Sequence, residues 1–157
     1  MKLEPLTEAH LDAAAEMWCR GWHDGHADVV PEGLTRLRTL ENFRERLVAH
    51  RAATTLAIAD GAVRGLFMLE GNELEQFYVH PDARGTGLAQ WLMPQAEAAL
   101  RGAGHDRVWL ACSVGNARAA RFYEKAGWSF VRIETFEAET SAGPFPLDIW
   151  RYEKDLS

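Results

Sequence analysis

Residues 74–89 constrain this chain most tightly. Leu74-Glu75-Gln76-Phe77-Tyr78-Val79 reads as a strand, His80-Pro81-Asp82-Ala83-Arg84-Gly85-Thr86-Gly87 as a glycine-bearing turn, and a helix-like run starts near Gly87. Strand, turn and helix in that order aim free backbone N–H groups at one point, because the first helical turn has donors without internal acceptors. The aligned peptide dipoles add partial positive charge there, and such a site binds phosphate. Gly85 and Gly87 lack a Cβ, so they permit unusual φ and close approach of a ligand to the backbone. Arg84 can offer a charged fork to the same anion. A plain strand–helix connection would carry similar glycines.

A length of 157 residues suits one domain, 1–157, with one sizeable core. No apolar run approaches the roughly 18 residues that a membrane span needs. Met1-Lys2-Leu3-Glu4-Pro5 has no signal-peptide pattern, so a cytoplasmic location without a membrane partner is expected. Cys19 and Cys112 lack CxxC spacing, which fits a reducing compartment and core packing. A formal net charge of −6 disfavours nucleic acid as the main partner. It is compatible with a cationic substrate, although acidity also serves solubility.

The periodicity predicts a strand at 2–6, a helix over about 8–21, a loop from Gly21 to Gly33 and a helix over 35–50. A meander follows: strands at 54–59, 63–69 and 73–79, with turns at Asp60-Gly61 and Gly71-Asn72. The helix after Gly87 contains Pro94, which predicts a kink or an irregular start. A strand at 107–112 places Val108, Leu110 and Cys112 on one face. A helix begins at Asn116 and ends near Gly127, and strands at 128–136 and 147–152 close the chain. The fold class is therefore α/β in the broad sense: a mixed, mostly antiparallel sheet with helices on both faces. The strands flanking the 88–102 helix should be parallel, through a right-handed crossover.

A second segment, Asn116-Ala-Arg-Ala-Ala-Arg-Phe-Tyr-Glu-Lys-Ala-Gly-Trp128, joins Tyr78-Val79-His80-Pro81 and Arg84-Gly-Thr-Gly-Leu-Ala89. Together they closely resemble the GNAT superfamily of acyl-CoA-dependent N-acetyltransferases. Arg84, Gly87 and Ala89 fill that family's phosphate-loop pattern, while Trp128 stands where phenylalanine is usual. The order of predicted elements matches the family fold over nearly the whole chain.

The resemblance implies acetyl-CoA as co-substrate, a small-molecule or peptide amine as acceptor, and no metal. By that likeness the diphosphate sits on residues Arg84, Gly85, Thr86, Gly87, Leu88 and Ala89. Pantetheine pairs with the backbone of Phe77, Tyr78 and Val79, as an added strand edge would. Asn116, Arg118 and Tyr123 complete the cofactor set. Asn116 would equally serve as a helix N-cap. Tyr123 falls where the family's general acid stands; a phenol with a reference pKa of about 10 can protonate a thiolate whose thiol is near 8.5. The amide of Val79 would polarise the thioester carbonyl.

The base is open between Glu73 and Glu75, with Glu75 preferred. Absent a bulge, Glu73, Glu75 and Phe77 share one strand face. Trp18, Trp22, His23, Asp24 and His26 cluster where an acceptor pocket is expected, since aromatic rings beside an acid could hold a cationic amine; two core-anchoring tryptophans would show the same pattern. His23, Asp24 and His26 lack a third metal ligand at fitting spacing. His80 reads as a turn residue. A non-catalytic acyl-CoA sensor of the same fold is the alternative, with a proton donor at Tyr123 arguing against it. A dinucleotide-binding loop is disfavoured because Gln90 stands where a third glycine would be required. Exposed terminal strands would suit a homodimer.

Overall fold

Two tight turns set the centre of the sheet. Asp60 and Gly61 both adopt positive φ, 53° and 75°, as a two-residue hairpin turn requires. In the computed structural model, which describes residues 1–157, they join β2 (Thr54–Ala59) to β3 (Ala62–Glu70). A second turn at Gly71 leads to β4 (Glu73–Val79). The other strands are β1 (Lys2–Pro5), β5 (Arg107–Ser113), β6 (Ser129–Ala138) and β7 (Phe145–Asp155), in one seven-stranded sheet ordered β1-β2-β3-β4-β5-β7-β6. Every pairing is antiparallel except β4 with β5. The mixed, mostly antiparallel sheet expected from the sequence is therefore present.

Helices cover both faces. On one, α1 (Leu11–His26) and α3 (Leu40–Ala49) bury Ala14, Trp18, Phe43 and Leu47 against Leu56, Leu66 and Met68 of the sheet. On the other, α4 (Leu88–Gly102) lays Leu88, Leu92, Ala96 and Leu100 on Phe67, Leu74, Val108 and Leu110. The short α2 (Glu32–Leu37) precedes α3, and α5 (Ala117–Lys125) follows β5. Cys112 is buried in the core and both cysteines are free. No helix is long and apolar enough to cross a membrane.

Four local departures stand out, and two have an evident packing or capping cause. First, α1 does not stop at Gly21 but continues through Gly25 to His26. A Cβ on Gly21 would lie 3.0 Å from the Tyr78 ring, and one on Gly25 would lie 3.2 Å from the Asn116 amide nitrogen. Four apart on one helical face, these glycines serve close approach rather than a turn. Second, the predicted 35–50 helix is two helices. Thr39 has extended backbone and its hydroxyl accepts from the Asn42 N–H at 3.1 Å, capping α3. Third, α4 runs without a break through Pro94. Fourth, β6 and β7 extend beyond their predicted ends, shortening the loop between them.

A bulge corrects the reading of β4. Met68 pairs with Gln76 but Leu69 pairs with Leu74, leaving an extra residue in β4. The alternation reverses there. Leu74, Phe77 and Val79 pack into the α4 core, whereas Glu73, Glu75 and Tyr78 turn toward α1 and α3. Phe77 thus does not share a face with the two glutamates.

Glu97 of α4 ties the second layer together. Its carboxylate, nearly buried, accepts from the Trp128 indole N–H at 3.2 Å and from the Lys154 ammonium at 2.9 and 3.0 Å. Lys154 also donates to the Ala126 carbonyl at 2.8 Å. Glu97→Ala leaves the ammonium and the indole without their acceptor in a mostly dry site. The expected loss is about 2–3 kcal/mol, below that of a fully buried pair because Lys154 keeps some solvent contact. Urea unfolding at neutral pH measures it.

Candidate functional site

β4 and β5 share one paired position, Glu73 with Trp109, beside a Trp109 N–H to Asn72 carbonyl bond of 3.2 Å. Beyond it they separate. On the opposite edge the His80 N–H bonds the Arg64 carbonyl at 2.8 Å. Antiparallel alternation then directs the Tyr78 amide to β3 as well, and leaves those of Phe77 and Val79 facing the gap. A sheet edge inside the molecule is thereby open to an extended ligand.

The turn after β4 presents unpaired backbone donors. Gly85 and Gly87 have φ of 77° and 87°, with open space where a Cβ would stand. The N–H groups of Gly85, Gly87, Leu88, Ala89 and Gln90 have no acceptor in the chain, since α4 first closes with the Trp91 N–H on the Gly87 carbonyl. The Arg84 amide is engaged with the Pro81 carbonyl. Thr86 is also engaged, with both its amide and its hydroxyl on the Ala83 carbonyl. Thr86 is not among the residues lining the cleft, and Gln90 is. His80 is a turn residue as read: its Nδ1 accepts from the Asp82 N–H at 3.0 Å.

These groups line a cleft of about 290 Å³ with Phe77, Tyr78, Val79, Asn116, Arg118 and Tyr123. Asn116 caps a helix and lines the cleft. Its Oδ1 accepts from the Ala119 N–H and caps α5, while its amide nitrogen faces Gly25 across the cleft. Phe122, which the sequence did not single out, stacks on Phe77 with centroids 5.7 Å apart. Asp24 lies elsewhere than expected. Its carboxylate bridges Arg84 and Arg118 at the cleft mouth, the latter at 3.3 Å. Those two partners hold its carboxyl below the usual carboxylate range.

Tyr123 stands where the cleft meets the gap between the strands, bordering both. Burial drives its phenol well above the ordinary value, so it stays protonated at neutral pH. Its hydroxyl has no hydrogen-bond partner within the protein, although its backbone carbonyl accepts from Ala126 and Trp128. Glu75 borders the same gap and, with Glu73, a second cavity toward α1–α3. Burial raises the Glu75 carboxyl, against the opposing effect of Arg46. Burial, with Glu75 and Glu70 nearby, raises Glu73 to about 8.

The aromatic cluster of α1 divides. Trp18 is fully buried under the Arg46 guanidinium, 4.4 Å from its ring, and belongs to the core. Trp22 and His26 stack at 4.8 Å and border the second cavity. His23 bonds the Arg38 carbonyl at 2.6 Å. No grouping of three or more His, Cys, Asp or Glu side chains is placed to hold a metal ion.

Residues 11–128 match the family described as the Acetyltransferase (GNAT) family. Uncharacterized N-acetyltransferases of Mycobacterium bovis and Mycobacterium tuberculosis are 38% identical over 99 residues, 60% of this chain and 64% of theirs. The match thus spans less than two thirds of those relatives. A GCN5-related N-acetyltransferase structure from Rhodopseudomonas palustris aligns with a TM-score of 0.77 at 21% identity, covering 99% of this chain and 95% of that one. A putative acetyltransferase from Salmonella typhimurium, solved with its cofactor acetyl-CoA, gives 0.71 at 18%, covering 100% and 94%. An N-acetyltransferase from Thermoplasma acidophilum in complex with coenzyme A also gives 0.71 at 18%, covering 98% of each chain. Likeness at this level of identity establishes the fold.

Glu73 sets a pH signature. Its folded value of about 8 exceeds the ordinary carboxylate value of 4.5, so the folded state keeps a proton that the unfolded state has released. Stability from this group is complete below about 4.5 and declines as pH rises toward 8. Glu73→Gln removes that decline. Its melting temperature should increasingly exceed the parent's from pH 5 to pH 8, measured by thermal denaturation; a constant offset overturns the assignment.

Proposed function

The chain belongs to the GNAT acetyltransferase family, and from that premise we propose that it transfers an acetyl group from acetyl-CoA to a primary amine by direct attack in a ternary complex. One observation carries the reading: unpartnered amides at Gly85 and Gly87–Gln90 converge on a cleft that opens directly into the strand gap beside Tyr123. The diphosphate binds those amides, where helix dipole and donors coincide. Arg84 and Arg118 flank it. Pantetheine lies along the open edge at Phe77 and Val79, and the thioester reaches the gap.

Each step then has a group in place. Glu75, ionised, takes a proton from the acceptor ammonium, directly or through a water, leaving a neutral amine. The amine nitrogen attacks the thioester carbon, and the Val79 N–H stabilises the developing oxyanion. When the C–S bond breaks, Tyr123 gives its proton to the sulfur; the attacking nitrogen, left cationic by bond formation, gives up its second proton, which returns through water to the Tyr123 oxygen, while the proton held by Glu75 goes to solvent. Burial keeps the Tyr123 phenol protonated at neutral pH, so the proton is in place when the C–S bond breaks. A pure sensor of acyl-CoA would need no such donor.

Calorimetric titration with CoA, followed by thiol release from acetyl-CoA over a panel of amines, tests the reading. Heat and turnover are both expected; no binding at millimolar CoA removes it, and binding without turnover leaves the sensor. Tyr123→Phe should lower kcat by about 100-fold with CoA affinity nearly unchanged. An unaltered kcat excludes Tyr123 as the acid. For Glu75 the sign follows from its role: a base must be ionised, so the parent rate climbs as pH passes upward through the raised carboxyl value. In Glu75→Gln that Glu75-dependent rise disappears from the kcat profile; a profile matching the parent's assigns the base elsewhere.

A further inference from the structure

The second cavity, of about 80 Å³, lies under α1, α2 and α3 against β4 and β5. Two arginines line it, Arg38 at 3% and Arg46 at 7% exposure. Neutral groups and rings hold most of their contacts. Arg38 donates to the Asn42 side-chain oxygen at 3.0 Å and to the Glu139 carbonyl at 2.6 Å. The Arg46 guanidinium lies over the Trp18 ring, and its Nε is 3.5 Å from a Glu139 carboxylate oxygen, an ion-pair separation without hydrogen-bond geometry. Three guanidinium N–H sites are left buried without an acceptor: Nε of Arg38, and Nε and Nη1 of Arg46. One acceptor is left buried without a donor, Oε2 of Glu75.

Buried polar groups in folded proteins are nearly always paired. Orphan donors and an orphan acceptor bordering one cavity describe the complement of a ligand. We propose that the acceptor carries a carboxylate beside its amine, and is a small free amino acid or a close analogue, with the carboxylate on Arg38 and Arg46 and the amine at Glu75. The inference rests on the acetyltransferase reading above and adds the substrate class.

Charge and size agree with a monoanionic group. Arg38, lowered by burial to about 10, remains cationic at neutral pH. His26 adds no charge, because burial holds it at about 4. Glu73 is largely protonated. Glu139 faces Arg46 and balances one of the two guanidinium charges, and a carboxylate matches the other. Arginine forks suit the planar carboxylate. A water needs about 10–15 Å³ on this volume measure, so the cavity accommodates roughly five to eight non-hydrogen atoms. Glu75 borders both this cavity and the gap beside Tyr123, so an amine on it already faces the thioester position.

The test uses the full chain with acetyl-CoA, read by thiol release, and matched acceptors: glycine, L-alanine, β-alanine and L-serine against their carboxamides. The amides carry the more easily deprotonated amine, so chemistry alone favours them. The carboxylates should nevertheless lead by at least about tenfold in kcat/KM, since a site built for a polar group discriminates strongly against its loss. Arg38→Gln should bring the ratio close to one while CoA binding, measured by calorimetry, stays unchanged. Amides turned over as well as carboxylates overturn the inference, as does failure of every amino carboxylate. Calorimetry separates the two failures: with CoA bound and amino carboxylates inert, the acceptor class alone falls; without CoA binding, the acetyltransferase reading falls with it.

Discussion

A sheet normally closes its backbone hydrogen bonds along the whole length of paired strands. Here β4 and β5 stop after a single pair, and everything distinctive about the molecule follows from that interruption. The separation exposes main-chain groups at Phe77 and Val79 without unfolding either strand, because each keeps its other neighbour: β3 for β4, β7 for β5. It also brings the loop at residues 85–87, the start of α5 and the end of β4 to one opening. A fully paired sheet of the same strand order would have a continuous surface and no place for a ligand between its central strands.

The bulge in β4 gives this opening two chemically different sides. With regular alternation, Glu73 and Glu75 would point with Phe77 into the apolar α4 layer, where a carboxylate is costly. The extra residue turns both glutamates toward Arg38 and Arg46, while Phe77 and Val79 stay with the aliphatic core. Of the six buried side-chain atoms that lack partners, four border the same cavity and belong to Arg38, Arg46 and Glu75. Polar groups are well matched elsewhere, as in the Glu97–Lys154–Trp128 network, so the imbalance is local. Such concentration of unmet hydrogen bonding is where folding and ligand recognition make opposite demands on the same residues.

Much of this was legible in the chain. Strand–turn–helix punctuation marked the turn with unpaired amides, and the Asn116 to Trp128 signature marked α5, because both depend on local backbone chemistry. The parallel β4–β5 pair followed from connection rules. What escaped depends on contacts distant in sequence. Gly21 and Gly25 read as breakers, and only the Tyr78 ring and the Asn116 amide, packed against α1, explain glycine there. The break at Thr39 carried its own signal, a hydroxyl three residues before Asn42, but it lay within a plausible helical period. Nothing in the spacing distinguished Arg38 and Arg46 from surface arginines. Nor did it show that Asp24, next to aromatic residues, reaches Arg84 and Arg118 rather than a pocket behind them.

The Asp24 bridge gives α1 a part in both compartments. Two guanidinium groups at the cleft mouth already hold an internal carboxylate, so their positive charge is balanced within the chain rather than bare. That carboxylate sits on the last turns of α1, whose Trp22 and His26 wall the arginine cavity. One helix end is therefore a common wall, tethered on its outer side by an ion pair and lined on its inner side by stacked rings.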